Sequence, residues 1–311
     1  MQRLNIFRRI AAAFLLFAFA SVANGARNYI IVDNQTGVIL DSRDHNRKVQ
    51  VASLTKIATA VLVFDWAQLK NVDLNEEATV SSGALQAGGA NPVGLQAGDT
   101  LSLRDLLYAA LLASDNIAAT VLAEHVGARL PNSQSLPPAE NFVSHMNALT
   151  RTLGMKRTLF LNPTGIDDAS QKSLPHSTAS DMARLTRYAY SEADFPFFVA
   201  QETRVVHVKR GGADLPVTLR NTNTLLGRDN IDGVKTGRTS RAGECLILSS
   251  EKLPEVQREG TTVYVTPRRI IVVLLGSHDR LRDGTSLMQL GWSRYAEWAA
   301  AGRKTKSSSL L

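Results

Sequence analysis

Residues 51–64 read VASLTKIATAVLVF, and one ammonium group lies in this otherwise apolar stretch. The apolar spacing predicts a helix from about Ser53 to Leu69, with Lys56 three residues after Ser53 and on the same face. A helix N-terminus and burial both disfavour the charged amine, so they lower its pKa from about 10.4. A neutral amine can take the proton of a serine hydroxyl, which is otherwise a poor nucleophile. The stretch therefore predicts a serine nucleophile with a lysine base.

The Ser53–Lys56 pair alone is weak support for this chemistry, because Ser-x-x-Lys is common and recurs at residues 249–252. Two further motifs strengthen it. Residues 114–116 (Ser-Asp-Asn) are the only Ser-x-Asn sequence and lie between two predicted helices. Residues 235–237 are the only Lys-Thr-Gly sequence and lie on a short predicted strand before a hairpin turn. Three motifs in this order are typical of β-lactamases and penicillin-binding proteins.

Acyl transfer needs a nucleophile, a base, a proton donor for the leaving group and donors for the oxyanion. We predict that Ser53 attacks the substrate carbonyl and that Lys56 accepts its proton. Ser114 would relay a proton to the departing amine. Asn116 would hydrogen-bond both Lys56 and a peptide group of the substrate.

The Lys-Thr-Gly strand is predicted to bind the substrate. Lys235 would hold Ser114, and Thr236 would present its hydroxyl to a carboxylate. Gly237 has no side chain, so a substrate backbone could lie alongside the strand. The backbone N–H groups of Ser53 and Arg238 would receive the oxyanion.

The order of predicted elements indicates one domain. Two short strands at about 28–43 precede the long helix, residues 71–100 look like ordered loop, and helical patterns continue to residue 190. The final third contains β-rich runs and a closing helix at 283–301. We therefore predict an α/β domain at 26–300, with a sheet assembled from both ends and a helical lobe inserted. Residues 301–311 form a polar tail.

The N-terminus indicates export. Residues 1–25 contain three arginines, the apolar run AAAFLLFAFA and small residues before a possible cut, as in a secretory signal peptide. Removing those arginines reduces the formal charge of +7 to about +4. With no basic cluster or nucleic-acid motif, no nucleic-acid partner is predicted. Export together with a mildly basic chain predicts a periplasmic or other envelope location.

The remaining chemistry-bearing residues indicate no cofactor. The lone Cys245 cannot form an internal disulfide, so a packed core must stabilise the chain, and its 44% hydrophobic composition allows one. The six histidines show no metal-ligand spacing. Neither a metal nor a cofactor is predicted.

The chain resembles the low-molecular-mass penicillin-binding proteins, the serine D-alanyl-D-alanine carboxypeptidases, over about residues 27–300. Besides the three motifs, the family-like blocks are NPVGLQAGD, FLNPTGID, HSTASDMARL, RNTNTLLG and DGVKTGRTSRAGECLI. The resemblance implies a five-stranded antiparallel sheet flanked by helices, an inserted all-helical lobe and a cleft between them. It also implies removal of the terminal D-Ala from peptidoglycan stem peptides through an acyl-serine, and covalent inhibition by β-lactam antibiotics.

Three features depart from that family. Thr164 stands where the family usually has His, which leaves the role of its loop open. Arg238 follows Lys-Thr-Gly where Tyr or His is commoner, and could bind the substrate carboxylate, with Arg220 as a second candidate. About 75 residues follow the Lys-Thr-Gly. They are needed to complete the sheet and last helix, which puts the C-terminal membrane anchor of many relatives in doubt.

Three alternatives remain open at this stage. A DD-endopeptidase that cuts peptidoglycan crosslinks would use the same residues. A β-lactamase is disfavoured because the chain contains no Glu-x-x-Leu-Asn, the motif that carries fast deacylation in one large class. A non-catalytic wall-binding scaffold would not need all the motif residues to be intact.

Overall fold

The computed structural model describes residues 28–167, 174–305 and 309–311. The predicted signal peptide at 1–25 lies outside the described residues. Among the helices described, none combines the length and the apolar character needed to cross a membrane.

In the described chain, two strands come first, helices dominate the middle, and a run of strands followed by a long helix comes last. The strands are β1 Asn28–Asp33, β2 Ile39–Arg43, β3 Glu77–Thr79, β4 Thr100–Ser102, β5 Thr203–Arg210, β6 Ala213–Arg220, β7 Ile231–Thr239, β8 Gly243–Glu259 and β9 Thr262–Ser277. The α-helices are α1 Lys56–Lys70, α2 Ser82–Ala87, α3 Leu103–Leu111, α4 Asn116–Gly127, α5 Pro138–Thr152, α6 Ala179–Ala189, α7 Phe195–Val199 and α8 Arg280–Ala300.

The five-stranded antiparallel sheet predicted from both ends of the chain is confirmed, in the order β2-β1-β9-β8-β7. Successive side chains of a strand point to opposite faces. Accordingly Ile30 and Val32 belong to one hydrophobic cluster, while Tyr29 and Ile31 belong to the other. Helix α8 packs on the second face and α6 on the first, so both faces of the sheet are covered.

The helical lobe surrounds α1, which is apolar on nearly every side. Eleven of its residues, from Lys56 to Ala67, are buried, as expected for a helix enclosed by others. Helices α3, α4 and α5 pack against it. The single amine at the start of this helix is therefore enclosed by the fold.

The strands outside the main sheet differ from the sequence interpretation. Residues 71–100 were predicted to be loop, but the structure has β3 and α2 there, and β4 begins at Thr100. A three-residue strand is too short to show the alternation on which prediction depends. The hairpin β5–β6 joins β3 and β4 in a separate four-stranded sheet. The predicted β-rich region thus divides between two sheets.

The hairpin β8–β9 is longer than the separate short runs predicted for it. Its paired strands continue from the sheet to Glu259 and Thr262. This outer part exposes several large apolar side chains, namely Leu253, Val256, Val263, Tyr264 and Val265. The end of the predicted polar tail also contacts the turn between β1 and β2, since Leu310 pairs with Val38 and Leu311 N–H donates to the Gly37 carbonyl at 3.1 Å.

Candidate active site

Ser53 and Lys56 lie on different helical elements. Ser53 belongs to a 3₁₀ turn, Ala52–Thr55, and Lys56 begins α1 immediately after it. The predicted helix from Ser53 therefore starts with a tighter turn, which keeps the three-residue spacing on one face. Lys56 Nζ lies 3.1 Å from Ser53 Oγ.

The amine of Lys56 is fully buried and has three partners. Besides Ser53 Oγ, it donates to Asn116 Oδ1 at 2.6 Å and to the backbone carbonyl of Thr164 at 2.9 Å. Burial lowers the pKa of Lys56 from 10.5 to about 7, while the nearby carboxylate of Asp115 raises it. In the neutral form Nζ keeps a lone pair. That lone pair can accept the proton of the Ser53 hydroxyl.

The loop that carries Thr164 is held from within. The side-chain oxygen of Asn162 accepts the N–H groups of Thr164 at 3.1 Å and Gly165 at 2.6 Å. It also accepts the Thr164 hydroxyl at 2.9 Å. This arrangement aims the Thr164 carbonyl at the lysine. Sequence reasoning left the role of this loop open, and its contribution is a main-chain oxygen.

Gly165 fixes this loop against the turn that carries Ser53. Its φ is +77°, and a Cβ on it would lie 2.0 Å from the carbonyl oxygen of Ala52. On the other side, the hydroxyl of Thr59 donates to the Pro163 carbonyl at 2.6 Å. The loop and the turn that carries Ser53 are therefore in direct backbone contact.

Ser114 and Asn116 lie where α3 ends and α4 begins. Ser114 has a φ of +60°, and Asn116 is the first residue of α4. Between them the buried Asp115 caps α4, accepting the N–H of Ala118 at 2.9 Å and of Val93 at 3.1 Å. The cap holds the loop around Val93 against the Ser-x-Asn turn, which orients the Asn116 amide towards Lys56.

The Lys-Thr-Gly sequence lies on β7, at the edge of the main sheet. Thr236 donates its hydroxyl to Thr222 Oγ1 at 2.7 Å, and the buried Lys235 Nζ donates to the Thr236 carbonyl at 3.0 Å. A Cβ on Gly237 would lie 3.0 Å from the backbone nitrogen of Ser53. The strand thus passes directly beside Ser53, and glycine permits this approach.

The pKa of Lys235 is also lowered well below its usual value. Burial is the main cause, and the positive charges of Lys56 and Arg280 add to it. The Lys56 amine therefore adds to the effect of burial in disfavouring the charged form of Lys235.

One cleft of about 390 Å³ brings most of the predicted residues together. Its lining contains six residues named from the sequence: Ser53, Ser114, Asn116, Thr236, Gly237 and Arg238. The two lysines of the motifs are buried and are not among its lining residues. Arg220, the second candidate for carboxylate binding, does not line it either.

Three further polar residues line the cleft that the sequence motifs do not indicate: Thr222, Thr239 and Arg280. Arg280 is the first residue of α8, and its Nη1 donates to the Gly237 carbonyl at 3.3 Å. Only its position at the start of the last helix could have suggested it. With Arg238, it makes the cleft basic on the side of β7.

This geometry suits acyl transfer to a serine. A base lies within hydrogen-bond reach of the hydroxyl, and the N–H of Ser53 faces the strand that would carry the substrate. The guanidinium groups of Arg238 and Arg280 line the cleft with three threonine hydroxyls, so a carboxylate could bind there. The threonines are Thr222, Thr236 and Thr239.

Comparison with known proteins identifies the family of the chain. A family model described as D-alanyl-D-alanine carboxypeptidase matches residues 18–256. The chain is 28% identical to the D-alanyl-D-alanine carboxypeptidase DacF of Bacillus subtilis, over 75% of this chain and 56% of that one. It is 31% identical to a D-alanyl-D-alanine endopeptidase of Pseudomonas aeruginosa, over 83% of this chain and 74% of that one.

Solved structures show the same fold. The crystal structure of the Streptomyces K15 DD-transpeptidase superposes with a TM-score of 0.73 at 26% identity, covering 86% of this chain and 97% of that one. Penicillin-binding protein D2 of Listeria monocytogenes, in its ampicillin-bound form, gives a TM-score of 0.67 at 26% identity and the same coverage. Because the family model covers most of the sequence, this chain belongs to the D-alanyl-D-alanine carboxypeptidase family.

Proposed function

We propose that this chain removes the terminal D-Ala from peptidoglycan stem peptides through an acyl-Ser53 intermediate. The observation that carries the proposal is the fully buried Lys56 amine 3.1 Å from Ser53 Oγ, with its pKa lowered to about 7. Membership of the carboxypeptidase family supports the choice of substrate.

Acylation begins when Lys56 Nζ takes the Ser53 hydroxyl proton and Oγ bonds to the carbonyl carbon of the penultimate D-Ala. The N–H groups of Ser53 and Arg238 bind the oxyanion. The C–N bond then breaks, and the departing amine of the last D-Ala receives the proton through Ser114. Two proton transfers thus leave Lys56 neutral again.

Deacylation repeats the sequence with water. Lys56 takes a proton from the attacking water, the ester carbonyl becomes tetrahedral, and its bond to Oγ breaks. Ser53 recovers the proton, and the shortened peptide leaves with a new carboxylate. One base therefore serves both halves of the reaction.

The substrate is held between the strand and the Ser-x-Asn turn. Its backbone lies along β7 at Gly237, and the Asn116 amide binds one of its peptide groups. The terminal carboxylate meets the Thr236 hydroxyl and the guanidinium groups of Arg238 and Arg280, because arginine binds carboxylates in a planar, bidentate manner. Lys235 supports this side of the cleft.

Cleavage of crosslinks is a second candidate activity. The relative from Pseudomonas aeruginosa is named as an endopeptidase, and the residues described above would perform either hydrolysis. Incubation with a monomeric pentapeptide and with a crosslinked dimer distinguishes the two. Release of D-Ala from the monomer supports carboxypeptidase activity, and product from the dimer alone favours the endopeptidase.

β-Lactam antibiotics should acylate the same serine. The ampicillin-bound relative from Listeria monocytogenes supports this expectation. The test is intact-mass spectrometry after penicillin treatment of the wild type and of Ser53→Ala. We expect one persistent adduct on the wild type and none on the variant, which should also lose peptidase activity. Undiminished hydrolysis by Ser53→Ala would overturn the assignment, and rapid catalytic turnover of penicillin would favour a β-lactamase.

An exported, envelope location fits this activity, because the substrate is a wall polymer. The apolar segment preceded by arginines at residues 1–25 supports export. Intact mass of the protein recovered from the periplasm tests it. A mass that includes residues 1–25, or recovery in the cytoplasm alone, would contradict cleavage and export.

A further inference from the structure

A second cavity, of about 510 Å³, lies next to the catalytic cleft. Ile166 lines both spaces, and Thr164, whose carbonyl contacts Lys56, also lines the second one. A single segment of chain therefore separates the two. We call the larger space the lobe cavity, since its other walls come from the helical lobe.

The charges of the two spaces are opposite. Of the described residues, Arg238 and Arg280 are the charged side chains that line the catalytic cleft. Those that line the lobe cavity are Glu140 and Asp167. A ligand that extends from one space to the other would thus be stabilised by an anionic end in the cleft and a cationic group in the cavity.

The rest of the cavity suits an aliphatic chain. Among its lining residues are the apolar Ala87, Val143, Leu161 and Ile166. A methylene chain can lie against such surface while a terminal ammonium reaches a carboxylate, as long basic side chains do on protein surfaces. The exposed Glu140, in the first turn of α5, forms no ion pair with the described residues.

We propose that the lobe cavity is a subsite for the free side-chain amine of a diamino acid in the substrate peptide. The proposal rests on the proposed function, because that function places the terminal carboxylate in the basic cleft. The residue two positions before the terminal D-Ala directly precedes the D-Ala that acylates Ser53. An extended residue spans about 3.3 Å, so this residue lies close to the acylated serine. Its side chain can therefore leave the cleft past Ile166.

Two matched peptides test the subsite: Nα-acetyl-L-Lys-D-Ala-D-Ala, with a free side-chain amine, and its Nα,Nε-diacetyl counterpart. For the wild type we expect kcat/KM to be about 2- to 5-fold higher with the free amine, the range of a partly exposed ion pair. In the double variant Glu140→Gln/Asp167→Asn this ratio should fall to about one. The matched control Glu259→Gln, at the far end of the β8–β9 hairpin, should keep the ratio.

A wild-type ratio of one, or an unchanged ratio in the double variant, would overturn the subsite. Acylation of Ser53 by labelled penicillin shows whether each variant is folded. If the double variant does not fold, the single variant Glu140→Gln replaces it. If the wild type hydrolysed neither peptide, the proposed function would be wrong. The preference is then measured by how strongly each peptide slows penicillin labelling, and equal slowing would overturn the subsite on its own.

Discussion

Lys56 Nζ lies 3.1 Å from Ser53 Oγ, although Ser53 belongs to a 3₁₀ turn and Lys56 to the helix that follows it. The change of helix type leaves the two side chains on one face. The lysine is consequently inside the helical lobe while the serine lines the cleft. The energetic cost of burying the amine is what makes it a base near neutral pH.

The rate of acylation should depend on the ionisation of Lys56. Because its pKa is lowered to about 7 and only the neutral amine accepts a proton, the second-order rate of penicillin acylation should rise through about pH 7 and then level off. The Asp115 carboxylate raises this pKa, so Asp115→Asn should move the midpoint to lower pH. Pre-steady-state labelling across pH 5–9 measures it, with Glu259→Gln as a distant acidic control. An unmoved midpoint in Asp115→Asn would contradict the electrostatic role.

The same amine should make stability rise with pH. In the folded chain its pKa is about 7 and in the unfolded chain about 10.5, so between these values the unfolded state binds more protons. The penalty of burial is complete below pH 7 and disappears by about pH 10.5. Wild type should therefore gain stability relative to Lys56→Met across this window, by up to about 1.4 kcal/mol per pH unit.

Urea unfolding of both proteins at pH 7 and pH 9 measures this gain. Lys156→Met, which removes an exposed lysine, is the control and should show little change in the difference. A difference between wild type and Lys56→Met that is independent of pH would show that the amine is not desolvated as described.

At Gly165, the close contact with the Ala52 backbone should contribute more to the cost of a substitution than the positive φ does. Gly165 and Gly154 both have positive φ, but an added Cβ meets the Ala52 carbonyl at Gly165 and nothing within 4 Å at Gly154. Gly154→Ala should cost about 1 kcal/mol of unfolding free energy. Gly165→Ala should cost a few kcal/mol more and slow acylation at least about tenfold, because the turn that carries Ser53 must move. Equal effects of the two substitutions would contradict this account.

Arg280 should be a determinant of carboxylate binding. Arg280→Ala should reduce kcat/KM for an acyl-D-Ala-D-Ala peptide by about 10- to 100-fold, the effect of removing one charge-assisted contact. Loss should be smaller for the matching C-terminal carboxamide, which carries no charge. Arg220→Ala removes an arginine outside the cleft lining and serves as the control. Equal losses on acid and amide substrates would show that Arg280 acts only through its contact with Gly237.

The sequence predicted the main sheet because its strands carry strong signals. The run NYIIVD and the run RIIVVLLG are long enough, and sufficiently apolar, to indicate strands buried on both faces. It did not predict that β5 and β6 would leave this sheet, because pairing depends on distant partners such as the three-residue β4.

For the site, the sequence predicts contributions from side chains but not contributions from main-chain atoms. Five motif residues line the cleft, and the sequence identifies them because the motifs are defined by side chains or, for glycine, by the absence of one. The Thr164 carbonyl gives no such signal, since every residue has one. Arg280 is far from the motifs in sequence, and only folding brings it beside Gly237.

The third partner of the Lys56 amine is a peptide oxygen, and no substitution of side chains can delete it. An alanine scan would therefore leave the contact between the residue 164 carbonyl and Lys56 in place. Variation there between His and Thr can alter what surrounds the base without removing the acceptor. An amide-to-ester exchange between residues 164 and 165 replaces the backbone nitrogen of Gly165 by oxygen. This change would make the Thr164 carbonyl a weaker hydrogen-bond acceptor.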